Sequence, residues 1–161
     1  MKRMYLAVLA LAILLCLTAC AEEENPVVFY YPKTEVSYHT DTGVIEPEIR
    51  DTLSREDSLG YLLSFYLDGP IDTTLRLPVP EGTQVLRLLP YDEGVLLVMS
   101  KEFSQLEGMD LTIACASISQ TCFNLTEYQE ITFSAVTQKN VIRIVRRDSF
   151  LLADTVTATT E

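Results

Sequence analysis

The stretch Ser54–Pro70, SREDSLGYLLSFYLDGP, constrains this chain more than any other. Leu59, Leu62, Leu63, Tyr66 and Leu67 recur at i, i+3, i+4, i+7 and i+8, one stripe of a 3.6-residue helix that Tyr61 and Phe65 widen. Such a stripe must face a core, because burying each side chain is worth about 1.5 to 3 kcal/mol, whereas a glycine inside a helix costs only about 1. Ser54 is the expected N-cap, Glu56 and Asp57 put negative charge on the positive end of the helix dipole, and Gly69-Pro70 closes the other end. Gly60 is then expected to admit a closely approaching strand.

The 161 residues, 48% of them hydrophobic, have room for one core and a terminal segment. Residues 1–19 read as a targeting signal. Lys2 and Arg3 form a basic start, and the charge-free run Met4–Leu17 would make about 21 Å of helix against the ~30 Å of a bilayer core. Leu17-Thr18-Ala19-Cys20 resembles the lipobox of bacterial lipoproteins, which implies that the Cys20 thiol is acylated and the peptide before it removed. One acyl chain holds only marginally, so the two or three chains of a lipoprotein anchor are what would make attachment lasting. Residues 20–26, with Glu22, Glu23 and Glu24, form an acidic tether to a domain spanning 27–148, and 149–161 form a polar tail. Losing Lys2 and Arg3 leaves ten basic residues against 23 acidic ones, a net of −13. Such a surface repels nucleic acid and anionic headgroups.

Within the domain, Val27–Tyr31 is a β-branched and aromatic strand stopped by Pro32 and able to be buried on both faces. Val36–His39 extends it or pairs with it, Thr40–Gly43 turns, and Val44–Arg50, broken by Pro47, belongs at an edge. Thr83–Leu89 and Val95–Met99 flank a turn in which Gly94 is available for positive φ, and the apolar second arm belongs at the centre of the sheet. A second helix carries Leu111, Ala114, Cys115, Ile118, Cys122 and Leu125 on one stripe, with Thr112, Ser119 and Thr121 on the other side. Ile131, Phe133 and Ala135 alternate as a half-buried strand, which turns into Val141–Val145. The expected class is α+β, a mainly antiparallel sheet with both helices on one face.

Chemistry is thin. With Cys16 in the signal and Cys20 acylated, only Cys115 and Cys122 stay in the fold. On one helix their Cα atoms lie about 10.5 Å apart, beyond the ~7 Å a disulfide spans, so both are expected as buried thiols. His39, the single histidine, stands far from them, and no metal site or cofactor is expected. His39 with Asp41 makes poor triad geometry, and there is neither a nucleophile elbow nor a glycine-rich phosphate loop, so no enzyme is expected. Glu48 and Arg50 read as a structural ion pair, as solvated edge positions or, alternatively, as docking residues; Arg143, Arg146 and Arg147 read as cationic protection of an edge strand or as a patch for an acidic partner or anionic wall polymer.

Several fragments resemble the GerMN domain, named after a spore germination and sporulation protein of endospore-forming bacteria: Val28–Pro32, Glu48-Ile49-Arg50, Tyr66–Pro70, Pro80–Thr83, Val98–Phe103, Leu111–Thr121 and Ile131-Thr132-Phe133, together covering Val27–Val136. After the last of these, where the family often has an acidic residue and glycine, this chain has Thr137-Gln138-Lys139-Asn140. The resemblance implies an extracytoplasmic module, similar to ring-forming domains of sporulation machinery, with no catalytic residues to carry over. The expected function is a non-enzymatic lipoprotein on the outer face of the cytoplasmic membrane, held there through Cys20. It would bind a protein partner through its sheet edges in an envelope or sporulation assembly, with homo-oligomerisation left open. The alternative is a lipid-anchored receptor for a small molecule or cell-wall glycan.

Overall fold

The computed structural model describes residues 26–35, 43–136 and 141–150. The expected signal at 1–19, Cys20, the expected tether up to Asn25, Val36–His39 and all of the expected tail 149–161 except Ser149 and Phe150 lie outside the described residues; Ser149 and Phe150 end a short 3-10 turn, Arg147–Phe150. Strands β1 (Val27–Pro32) and β2 (Ile45–Arg50) pair antiparallel as a two-stranded ribbon. Helix α1 (Leu59–Leu67) follows, then the hairpin β3 (Val85–Tyr91) and β4 (Gly94–Met99), helix α2 (Gly108–Leu125), and a second hairpin of β5 (Glu130–Ala135) and β6 (Val141–Arg146). The last six-residue strands and β3 form a separate four-stranded sheet in the order β3-β4-β5-β6.

The α+β class, the two helices and the mostly antiparallel pairing are as expected. The strands, however, are divided between two sheets, and β4 runs parallel to β5. The parallel pair arises because α2 carries the chain back across the sheet, a crossover rather than a hairpin. The five-residue apolar run of β4 is central, flanked by β3 and β5, and Val95, Leu97 and Met99 are fully buried. Pro47 sits in β2, whose outer side no described strand pairs with, as a proline requires.

Helices lie between the two sheets. α2 packs on β1 and also touches β5 and β6, while α1 packs on β3. Two tyrosines join α1 to the ribbon as well: the Tyr31 hydroxyl donates to the Tyr66 carbonyl at 2.8 Å, and the Tyr66 hydroxyl to the Tyr30 carbonyl at 3.1 Å. The layers are therefore ribbon, helices, four-stranded sheet, around one core that runs from Val27, Phe29 and Tyr31 through Leu62, Leu63 and Tyr66 to Leu97, Ile131 and Phe133. In β1, Val27, Phe29, Tyr31 and Pro32 are buried, whereas Val28 and Tyr30 are half-buried, so that face of the strand keeps contact with water there.

Local expectations needed four corrections. α1 begins at Leu59, not near Ser54, and its N-cap is Ser58, whose hydroxyl accepts from the Tyr61 amide. Ser54 instead closes a separate turn, its carbonyl accepting the Asp57 amide, which places Glu56 and Asp57 before the first helical turn. Gly69, at φ +99°, ends the helix with its amide on the Tyr66 carbonyl, as expected of a glycine there. Ser119 and Thr121 are fully buried, because α2 is covered on several sides; the Thr121 hydroxyl accepts the Tyr30 amide at 3.0 Å.

The fourth correction concerns the hairpin. Its positive φ falls on Asp92 (+24°) in the two-residue connection Asp92-Glu93, a position aspartate tolerates better than most side chains. Gly94 serves another purpose: a Cβ there would lie 2.7 Å from the Tyr91 ring and 2.8 Å from the Glu130 carbonyl. Gly60 does admit β3, where a Cβ would meet only the Leu88 Cδ1 at 3.0 Å. Gly94→Ala is expected to lower unfolding free energy by about 1 to 3 kcal/mol, since backbone must move. Gly60→Ala is expected to stay within about 1 kcal/mol of the parent, because the tip of Leu88 can turn away and alanine favours the helix. Urea unfolding of the two variants checks the difference.

Candidate interaction surface

Glu48 and Arg50 form a clamp rather than a solvated edge. They follow each other on one face of β2, and an Arg50 guanidinium nitrogen lies 2.6 Å from Glu48 Oε1, with both side chains about nine-tenths buried. Arg50 also donates to the Gly69 carbonyl at 2.7 Å and lies over the Phe29 ring, 5.6 Å from its centre. Glu48 Oε2 accepts the Ile71 and Asp72 amides at 2.9 and 2.8 Å. The pair thus ties β2 to the end of α1 and the loop after it.

The three C-terminal arginines are placed in three different ways. Arg147 donates to the carbonyls of Thr126 and Tyr128 and lies 5.0 Å from the centre of the Phe123 ring. Arg55, which sequence reasoning did not single out, donates to the Asn124 carbonyl. Both cations therefore meet the negative end of α2, where positive charge is favoured. Arg143 is opposite Phe133 on the helix-facing side of the sheet, close enough to Cys115 to act on its thiol. Arg146 is on the other side, 69% exposed, with Nε 3.1 Å from Glu130 Oε2. The clamp and the arginine strand belong to different sheets, so the sequence-predicted docking residues do not form one patch.

The surface beside Arg146 is the sheet face that no described helix covers. Strand register aligns Leu89, Leu96, Thr132 and Ile144 in one row across it, and Tyr91, Gly94, Glu130 and Arg146 in the next. Leu89 is 44% and Ile144 53% exposed. The Tyr91 hydroxyl contacts Glu130 Oε1 and the Thr132 hydroxyl, each at 2.7 Å. Partial burial raises the Tyr91 phenol, while that hydroxyl and Arg146 hold Glu130 below its ordinary value. At this end of the sheet Tyr91, Asp92, Glu93, Glu130, Arg146 and Asp148 border an open groove of about 630 Å³. Its lining is carboxylate-rich and holds no paired nucleophile and base. The register carried from β3 through β4 to β5 and β6 brings Tyr91, Glu130 and Arg146 together, which no short motif reveals.

Cys115 and Cys122 lie on the same helix, both buried and unbridged, and burial pushes each thiol up to about 12. Among the described residues no cluster of His, Cys, Asp and Glu could hold a metal, and no helix is long and apolar enough to cross a membrane.

No family model matches the chain, and no curated protein does. Among solved structures, one described as a "putative lipoprotein from Clostridium perfringens" is similar at 14% identity and a TM-score of 0.49, over 77% of this chain and 89% of that one. Likeness at that level carries no inference about function.

The geometry separates structural from surface arginines by their energetics. Arg50→Ala leaves the Glu48 carboxylate buried without its cation and is expected to cost about 3 kcal/mol or more. Arg146→Ala removes an exposed pair and is expected to cost less than about 1 kcal/mol. Equal losses in urea unfolding would contradict these assignments.

Proposed function

We propose that this chain is a lipid-anchored, non-enzymatic interaction module of the GerMN type, held by Cys20 at the outer face of the cytoplasmic membrane in an envelope assembly connected with sporulation or germination. The targeting signal, the Leu-Thr-Ala-Cys motif and the family fragments in their order support the anchor and the family. One structural observation supports the mode of action: the sheet face opposite the helices presents Leu89, Leu96 and Ile144 in register, leading to the outer edge of β6, beside which no described strand lies. A partner strand can add its backbone hydrogen bonds at that edge while its side chains cover the apolar row. Arg146 at the rim would favour a partner with a carboxylate there. Glu48, Arg50 and Arg147 hold the domain together, which leaves Arg146 and Ile144 as the residues to contact the partner.

A photoreactive amino acid at Ile144 or Leu89 of the full-length protein, expressed in its own cells, tests this reading. The expected result is the same discrete protein adduct from both positions, absent when the probe replaces exposed Glu56, and lost together with membrane attachment in Cys20→Ser. Absence of any protein adduct, with saturable binding of a small ligand or wall fragment that Arg146→Glu abolishes, would favour the receptor reading and place its site in the groove at Tyr91.

A further inference from the structure

We infer that the end of the molecule where β2, with Ile49, meets the loop after α1, with Ile71, rests against the phospholipid bilayer, so that the anchored domain holds its four-stranded sheet away from the membrane. The inference rests on the lipid anchor at Cys20. Seven residue steps separate Cys20 from Val27, which limits the distance between them to about 25 Å however the tether is arranged. A compact domain of about 120 residues has a radius of gyration of roughly 14 Å and is therefore some 35 Å across. The tether is thus shorter than the body it carries, and the point where it enters decides which side can meet the lipid.

That point is fixed. Val27 is fully buried and pairs with Arg50, so it cannot peel away without opening the core. Ile49 pairs with Val28, and the Glu48–Arg50 clamp holds Gly69 and Ile71 against the same end of β2. Ile71 is 74% and Ile49 59% exposed, among the most exposed large hydrophobic residues described. The helices separate this ribbon from the four-stranded sheet, so Leu89 and Ile144 belong to the far side. Exposed Asp51, Asp68 and Asp72 flank the contact, and they oppose anionic headgroups. Two isoleucines do not hold a domain on a membrane; the acyl chains supply attachment and the isoleucines set its orientation.

The test uses acylated full-length protein in phosphatidylcholine vesicles that contain lipid with a nitroxide near the carbonyl region. Ile49→Cys, Ile71→Cys, Leu89→Cys and Ile144→Cys each receive a fluorophore at neutral pH, where the buried Cys115 and Cys122 thiols do not compete. Quenching is expected to be severalfold stronger at positions 49 and 71 than at 89 and 144, and to weaken when anionic lipid replaces phosphatidylcholine. Equal quenching at all four positions, or stronger quenching at 89 and 144, in protein whose intact mass shows the acyl chains, would overturn the orientation and leave the anchor standing. A mass without acyl chains in protein isolated from membranes would overturn the anchor and the orientation with it.

Discussion

Tyr31 and Tyr66 stack with ring centres 4.5 Å apart and planes within 3° of parallel, and each hydroxyl reaches a carbonyl of the opposite element. Phe29 meets both rings edge-on, at 6.3 and 5.7 Å. Burial raises both phenols well above their ordinary range, so they remain donors at any physiological pH. A two-stranded ribbon is marginal alone in water; here it survives because these rings make it one wall of the core. The Tyr30 amide on Thr121 and the Arg50 contacts to Phe29 and Gly69 secure the same wall from α2 and from the end of α1.

Much of this was legible in sequence because it depends on local pattern. The 3.6-residue stripe found Leu62, Leu63 and Tyr66, the unbroken apolar run found the central strand, and alternation found Ile131 and Phe133. What escaped depends on layers. A helix covered on several sides buries its polar positions too, so Ser119 and Thr121, on the side away from the apolar stripe, also lie in the core. Division of the strands between two sheets follows from where α2 passes, and strand pattern alone does not encode it. Ser54 carries the side chain of a cap, but it turns on Asp57 before the helix begins, and Ser58, four residues on, caps it.

The candidate surface was partly legible for the same reason. Five charged residues were singled out, and composition could not separate those that bind the protein's own backbone from those that face water. Glu48, Arg50 and Arg147 satisfy carbonyls and amides at element ends, a role set by tertiary neighbours. Arg146 keeps most of its surface, beside a row of apolar side chains that only strand register assembles. The uncovered sheet face, with its exposed apolar row, and the ribbon, where the described domain begins at Val27, thus lie on opposite sides of the helices.

That division has meaning only if ribbon, helices and sheet open together, so that the position of Val27 fixes how the sheet is presented. Native-state hydrogen exchange measures this directly. The hydrogen-bonded amides of β1 are expected to share one opening free energy, and one denaturant dependence, with those of β4 and β5. Exchange of β1 through a much cheaper opening, while β4 and β5 stay protected, would show the ribbon to be a separable appendage and contradict the account.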